Sequence, residues 1–244
     1  MNMAFTYKAY CDLIRLLREK RYPVASYQEA PNMSRCVVLR HDVDTSLEKA
    51  VEMAKIEAQE GVKANYFVLL TTDFYNAASQ KGQKAIHHLL DLGHEVGLHF
   101  DEALYEGLGC EELICAVRRE ADILSHICGY EISTVSMHRP SPVMLEKDFQ
   151  IPGLVNVYGR TFFREFKYVS DSRRHWREPV LDVIASGDYD RLHILTHPFW
   201  YGGIENSLHD SVERFVNHAN QERYDTFRDN ITRLEDIMKE SEIH

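Results

Sequence analysis

Two carboxylates stand two residues apart in the segment Arg40-His41-Asp42-Val43-Asp44. On an extended backbone such residues share a face. Asp42 and Asp44 can therefore divide labour, one binding a cation while the other stays free as a base. Acids also favour helix N-termini, but Thr45 is expected to cap the following helix, with Glu48 completing a capping box. A second segment, Gly93-His94-Glu95-Val96-Gly97-Leu98-His99, ends in an imidazole. His99 shares a face with Gly97 and Asp101, and is a candidate metal ligand; His94 faces away and reads as structural. The pair is no zinc-protease helix, which places its histidines at i and i+4.

Three further segments carry similar groups: His138-Arg139-Pro140, Tyr168-Val169-Ser170-Asp171-Ser172 and Leu195-Thr196-His197-Pro198. His138 is a candidate ligand. The fork of Arg139 can hold a carboxylate, or make an ordinary surface salt bridge. His197, with Asp171 available to orient it, suits a general acid. Phe199, Trp200 and Tyr201 follow it, able to line a sugar pocket or simply to fill core. His87-His88 and Arg173-Arg174 read as solvated, although the arginines also suit an anionic group. Each segment ends a β-like run, and parallel α/β barrels gather their chemistry at that end. Metal-dependent hydrolysis needs this kind of set.

The elements that position these groups are legible in the apolar spacing. Met1–Lys20 reads as an amphipathic helix, with Tyr10, Leu13, Ile14 and Leu17 on one face and Pro23 beyond its end. Strands are expected at Cys36–Leu39, Ala64–Leu70, Glu95–His99, Ser133–Met137, Lys167–Ser170 and Leu192–Leu195. Helices are expected after Thr45, at Ala85–Leu92, at Glu111–Cys128 and through most of Glu213–Lys239. Strands alternating with helices indicate a parallel α/β fold. A barrel fits better than an open dinucleotide-binding sheet, because no GxGxxG follows any strand. We expect one domain over 1–244, with a helical N-terminal extension at about 1–34 and a helical C-terminal region at about 205–244.

The 244 residues carry 28 basic and 38 acidic side chains, a net charge of −10. That disfavours nucleic acid, whose phosphates need a cationic face. No run reaches the ~20 apolar residues of a membrane span, and the first residues lack an apolar signal core, which points to the cytoplasm. The five cysteines, Cys11, Cys36, Cys110, Cys115 and Cys128, form no CxxC and read as free, buried thiols.

The five segments, in this order from about Cys36 to Trp200, resemble the polysaccharide deacetylase family, carbohydrate esterase family 4. They look most like its intracellular branch with an RHDVD first motif, linked to surface-glycan biosynthesis. The resemblance implies a distorted (β/α) barrel, one divalent metal, commonly zinc, and removal of acetyl from an N-acetylated sugar, either a small molecule or a lipid-linked precursor. It implies that Asp42 is the base, that Asp44 and His99 bind metal, that Arg139 tethers the base, and that Asp171 supports the catalytic His197. Two positions depart from the family pattern. The second histidine ligand would fall at Ala103, so His138, or next Asp101, is expected to replace it. The backbone donor to the oxyanion would fall at Pro142, which has no N–H, leaving Ser141 or the metal alone. Other readings of the same residues are an amide or imide hydrolase with a non-sugar substrate, a two-metal phosphoesterase, and a sugar-binding protein with a decayed site.

Overall fold

A computed structural model describes residues 3–146 and 148–243, so Met1 and Asn2 of the expected first helix lie outside the described residues. The chain divides into two compact units, Met1–Gly203 and Ile204–His244. The first unit opens with helix α1 (Tyr7–Glu19), where the Thr6 hydroxyl accepts the Ala9 N–H and the spaced apolar residues Tyr10, Leu13, Ile14 and Leu17 are buried. Strand β1 (Cys36–Val43) is buried along its whole length. It runs past the expected Leu39, because its ladder with the next strand continues to Val43. Helix α2 (Leu47–Gln59) starts from Ser46, not Thr45: the Ser46 Oγ accepts the Lys49 N–H at 3.2 Å and donates to Glu48 at 2.9 Å. The hydroxyls of Tyr75 and Thr72 bind the carbonyls of Val43 and Asp44 at 2.6 and 3.0 Å, which keeps the chain extended there and delays the helix.

The alternation continues with β2 (Asn65–Leu69), α3 (Gln80–Asp91), β3 (Glu95–Phe100), α4 (Cys110–Cys128), β4 (Thr134–Met137), α5 (Pro142–Glu146), β5 (Val155–Asn156), β6 (Lys167–Ser170), α6 (Val180–Ser186) and β7 (Arg191–Thr196). Helix α3 begins before the expected Ala85 because Ser79 caps it. The short β5 and the helix α6 have no counterpart in the sequence reading. All the strands pair in parallel, in the order β5-β4-β3-β2-β1-β7-β6. The architecture is the expected distorted (β/α) barrel. Among the described residues no ladder joins β5 to β6. Across that seam the Tyr158 and Tyr168 rings stand 6.4 Å apart, with Phe163 5.4 and 5.3 Å from them.

Alternation along the strands sorts side chains into a barrel interior and an outer layer under the helices. Arg40, Asp42, Phe67, His99, Ser136 and His193 point inward. Gly97 must stay bare among them, because a Cβ there would lie 2.4 Å from Thr134 Oγ1 and 2.5 Å from the Phe67 ring. His193 is fully buried between the Tyr27 hydroxyl (2.7 Å) and the Phe162 carbonyl (3.1 Å). Burial, followed by the Arg40 charge, pushes its pKa down to about 3. Two cysteines, Cys36 and Cys128, are buried, whereas Cys110 and Cys115 are exposed on a helix whose apolar stripe faces elsewhere, against expectation.

The second unit is built on α7 (Leu208–Asn230), capped by Ser207 and Asp210. It stops well before the expected Lys239, since Ile231 turns extended, and short 3₁₀ turns follow. The Tyr224 hydroxyl ties it to the Met238 carbonyl at 3.0 Å. No helix among the described residues is long and apolar enough to cross a membrane.

Outside the barrel, one carboxylate joins the helices to the sheet. Glu57 of α2 is fully buried and accepts from Tyr10 of α1 (2.6 Å) and Tyr66 of β2 (2.6 Å), with His41 Nε2 of β1 at 2.8 Å. His41 Nδ1 meets Thr196 Oγ1 of β7 at 2.6 Å. His94 completes the layer, taking the Ala64 N–H and donating to the Ala54 carbonyl, the structural role expected of it. Truncation of Glu57 strands several buried donors, at a cost of about 3–5 kcal/mol. At about 2–4 °C per kcal/mol for a chain of this size, Glu57→Ala is expected to lower the thermal midpoint by roughly 10 °C. Circular dichroism melting checks this, and an unchanged midpoint would show that the layer is held by apolar packing alone.

Candidate active site

Asp42 ends β1 inside the barrel, where a lone carboxylate would take up a proton rather than stay charged. Arg40, two residues earlier on the same face, prevents this. Its Nε and Nη2 donate to Asp42 Oδ1 and Oδ2, both at 2.8 Å. Burial works against the charge of Asp42, but Arg40 and then His99 outweigh it and hold the carboxyl below the usual range. The guanidinium is itself fully buried, bonding the Ser136 hydroxyl and lying 4.7 Å from the centre of the Tyr158 ring.

Asp44 lies just past the strand, displaced toward the barrel mouth. Its Oδ1 is buried and accepts no well-formed hydrogen bond, yet it stands 3.1 Å from His99 Nε2 and 3.4 Å from His138 Nδ1. The two ring nitrogens are only 3.2 Å apart. His99 Nδ1 faces the Ser136 carbonyl at 3.3 Å, which directs Nε2 toward Asp44. His99 comes from the end of β3 and His138 from the residue after β4. The three donor atoms lie within 4.8 Å of one another. Nitrogen lone pairs and a carboxylate oxygen repel at such range unless a cation or protons sit among them. Asp44, His99 and His138 thus fit a divalent metal.

Across the mouth, His197 follows β7 and Asp171 follows β6. Asp171 is fully buried and accepts His197 Nδ1–H at 2.6 Å, the His197 backbone N–H at 3.1 Å and the Tyr201 hydroxyl at 3.2 Å. The free Nε2 of His197 lies 3.8 Å from Asp44 Oδ2. Burial lowers the pKa of His197, but the Asp171 charge and hydrogen bond, with Asp44 and Asp42 behind them, carry it up to about 9. The imidazole is therefore protonated at neutral pH. Trp200 closes this side, lining a cleft with Asp42, Asp44 and His197.

The geometry redistributes two expected roles. Arg139 does not tether Asp42: its Nη2 pairs with Asp101, and its side chain is 64% exposed. Residues that follow one another alternate in direction, so His138 turning inward leaves Arg139 at the rim. Asp101 is consequently no third ligand. It is occupied by Arg139 and by the Ala103 N–H, where it caps the 3₁₀ turn Glu102–Tyr105. The Ser141 N–H is also spent, donating to Glu102 at 2.8 Å. The sequence reading gave no role to Arg40 or Tyr158. For Arg40 the signal was present, since the i, i+2 rule that joined Asp42 to Asp44 also joins Arg40 to Asp42.

No known family profile and no curated protein matches the chain. Among solved structures, 25 chains do. A family 4 carbohydrate esterase pseudoenzyme from Bacillus anthracis is 13% identical with a TM-score of 0.45; the match covers 77% of this chain and 62% of that one, less than two thirds of its length. A Streptococcus pyogenes deacetylase in complex with acetate is 10% identical, with a TM-score of 0.46 and coverage of 80% and 83%. A family 4 carbohydrate esterase from Streptomyces lividans, also with acetate, is 15% identical, with a TM-score of 0.46 and coverage of 67% and 79%. The chain is similar to these family 4 structures, at identities and TM-scores too low to transfer their activities to it.

Proposed function

We propose that this chain is a metal-dependent hydrolase that removes the acetyl group from an N-acetylated sugar or glycan precursor. The observation that carries this reading is the convergence of Asp44 Oδ1, His99 Nε2 and His138 Nδ1 beside an ionised Asp42 and opposite a protonated His197. Two imidazoles and one carboxylate form a set that suits zinc and leaves a position open. Bound there, the metal supplies Lewis acidity to the amide carbonyl and to the attacking water.

The protein's own groups then move the protons. Asp42, fixed by the two Arg40 hydrogen bonds, accepts a proton as water oxygen adds to the carbonyl carbon. His197, oriented by Asp171, gives its Nε2 proton to the leaving nitrogen as the carbon–nitrogen bond breaks. Acetate and a free amino sugar result. In this reading Asp42, Asp44, His99, His138 and His197 act on the substrate, and Asp171 acts through His197. Arg139 stands at the rim.

Zinc-loaded protein is expected to hold about one metal ion per chain, as a three-ligand catalytic site does. Asp44→Ala and His138→Ala should each lose it, by mass spectrometry of the metal content. A wild-type chain that takes up no metal would sink the reading and favour a binding protein. Asp42→Asn should keep the metal and lose about 10²–10⁴-fold in turnover, the usual worth of a general base.

The pH profile gives a separate check. An acid acts only while protonated, so kcat/KM should fall as pH rises through the His197 pKa of about 9. Asp171→Asn removes the charge that raises it and should move that limb toward the ordinary imidazole value of about 6.5. A limb that stays in place would remove His197 from the role of acid.

A further inference from the structure

Helix α7 turns an apolar stripe toward solvent. Leu208, Val212, Val216 and Phe227 are between 44% and 57% exposed. At the helical repeat they fall within about 100° of one another around the axis, the width of a face meant to be covered. Seven of the thirteen exposed large apolar side chains belong to Ile204–His244, although this unit is only a sixth of the chain. Among the described residues, Tyr224 and Leu234 alone are buried in it. A unit of about 40 residues with so small a core ordinarily needs a disulfide, a metal or association with another chain. It has no cysteine. Its possible metal donors, His209, Asp210 and Glu213, follow one another along a single stretch of α7, so an ion there would join nothing across the unit. Ten acidic side chains stand against five arginines and lysines here, which disfavours an anionic membrane or a nucleic acid as the cover.

We propose that α7 docks against α7 of a second copy of this chain, antiparallel and about a two-fold axis. Charge complementarity selects both the occupant and the direction. Arg223 lies on the stripe and Glu213 at its edge, and both are exposed. A two-fold axis midway between them sets Glu213 of each copy opposite the partner's Arg223, so one contact forms two ion pairs. Parallel packing would set Glu213 against Glu213 and Arg223 against Arg223, like charges along a shared seam. In the antiparallel pair Val212 and Val216 meet near the centre, and Leu208 of one copy lies near Phe227 of the other. The contact covers side chains that the unit leaves exposed, and it does not depend on the hydrolase reading.

The test is the mass of the full chain in solution, by light scattering over a concentration series. It should approach twice 28.4 kDa as concentration rises. Val216→Asp puts a charge on the stripe at an exposed position, so the mass should return to one chain while the circular dichroism spectrum and thermal midpoint stay in place. Glu213→Arg and Arg223→Glu should each weaken association by about tenfold, and the double variant, which exchanges the two charges, should restore it. A wild type with the mass of one chain at every concentration overturns the proposal. Flotation with vesicles of phosphatidylcholine and phosphatidylglycerol then shows whether lipid is the occupant instead. A dimer untouched by Val216→Asp places the interface elsewhere and overturns it, as does a double exchange that fails to restore association. None of these readouts uses turnover, so a chain that hydrolyses nothing defeats the hydrolase reading and leaves this test standing.

Discussion

The buried pairing of Arg40 with Asp42 is the interaction around which the first unit is organised. Each ion would be prohibitive alone inside the barrel, and removing one partner of such a pair costs about 3–5 kcal/mol. The two are separated by one residue on a single strand, so an extended β1 already brings them together, with no barrel required. What the barrel adds is the remainder of the solvation: the Ser136 hydroxyl of β4 and the Tyr158 and Phe67 rings around the guanidinium. A local ion pair thereby recruits distant strands. It also holds the Asp42 carboxyl below the usual carboxylate range.

The same strand serves a second network through its opposite face. His41, between Arg40 and Asp42 in sequence, points outward to Glu57 and Thr196. Two polar systems thus run back to back, separated only by backbone. The inner one holds the Arg40–Asp42 ion pair, and the outer one seats α1 and α2. Thr196 directly precedes His197, so the outer layer also secures the strand end from which that imidazole projects. The register His41 opposite Thr196 and Asp42 opposite Phe67 makes this division possible. A slip by one residue would exchange the two sets.

Much of this was legible in the residues. The i, i+2 spacing placed Asp42 and Asp44 together, and Asp171 was matched to His197 across two strands because both end β-like runs. His138 entered the ligand set once Ala103 left a gap, and it does lie beside His99. The assignment of Arg139 to Asp42 went astray because a motif says nothing about which guanidinium is nearer in space. Alternation within β1 favours Arg40, while alternation after β4 sends Arg139 outward. The cap moved from Thr45 to Ser46 because hydroxyls from a distant loop hold the intervening backbone, a tertiary effect that no local rule contains. Helix α6 and the two-residue β5 carry too little periodic pattern to be read.

The seam between β5 and β6, unpaired among the described residues, has an evolutionary consequence. In a closed barrel, strand number and stagger set the bore, and altering it means rebuilding the ladder. Here the wall at the seam is made of Tyr158, Phe163 and Tyr168 rings. Exchanging those rings for smaller or larger side chains changes the width of the interior without breaking a backbone hydrogen bond. The interior can therefore be refitted by point substitution, leaving the charged constellation at the ends of β1, β3 and β7 intact.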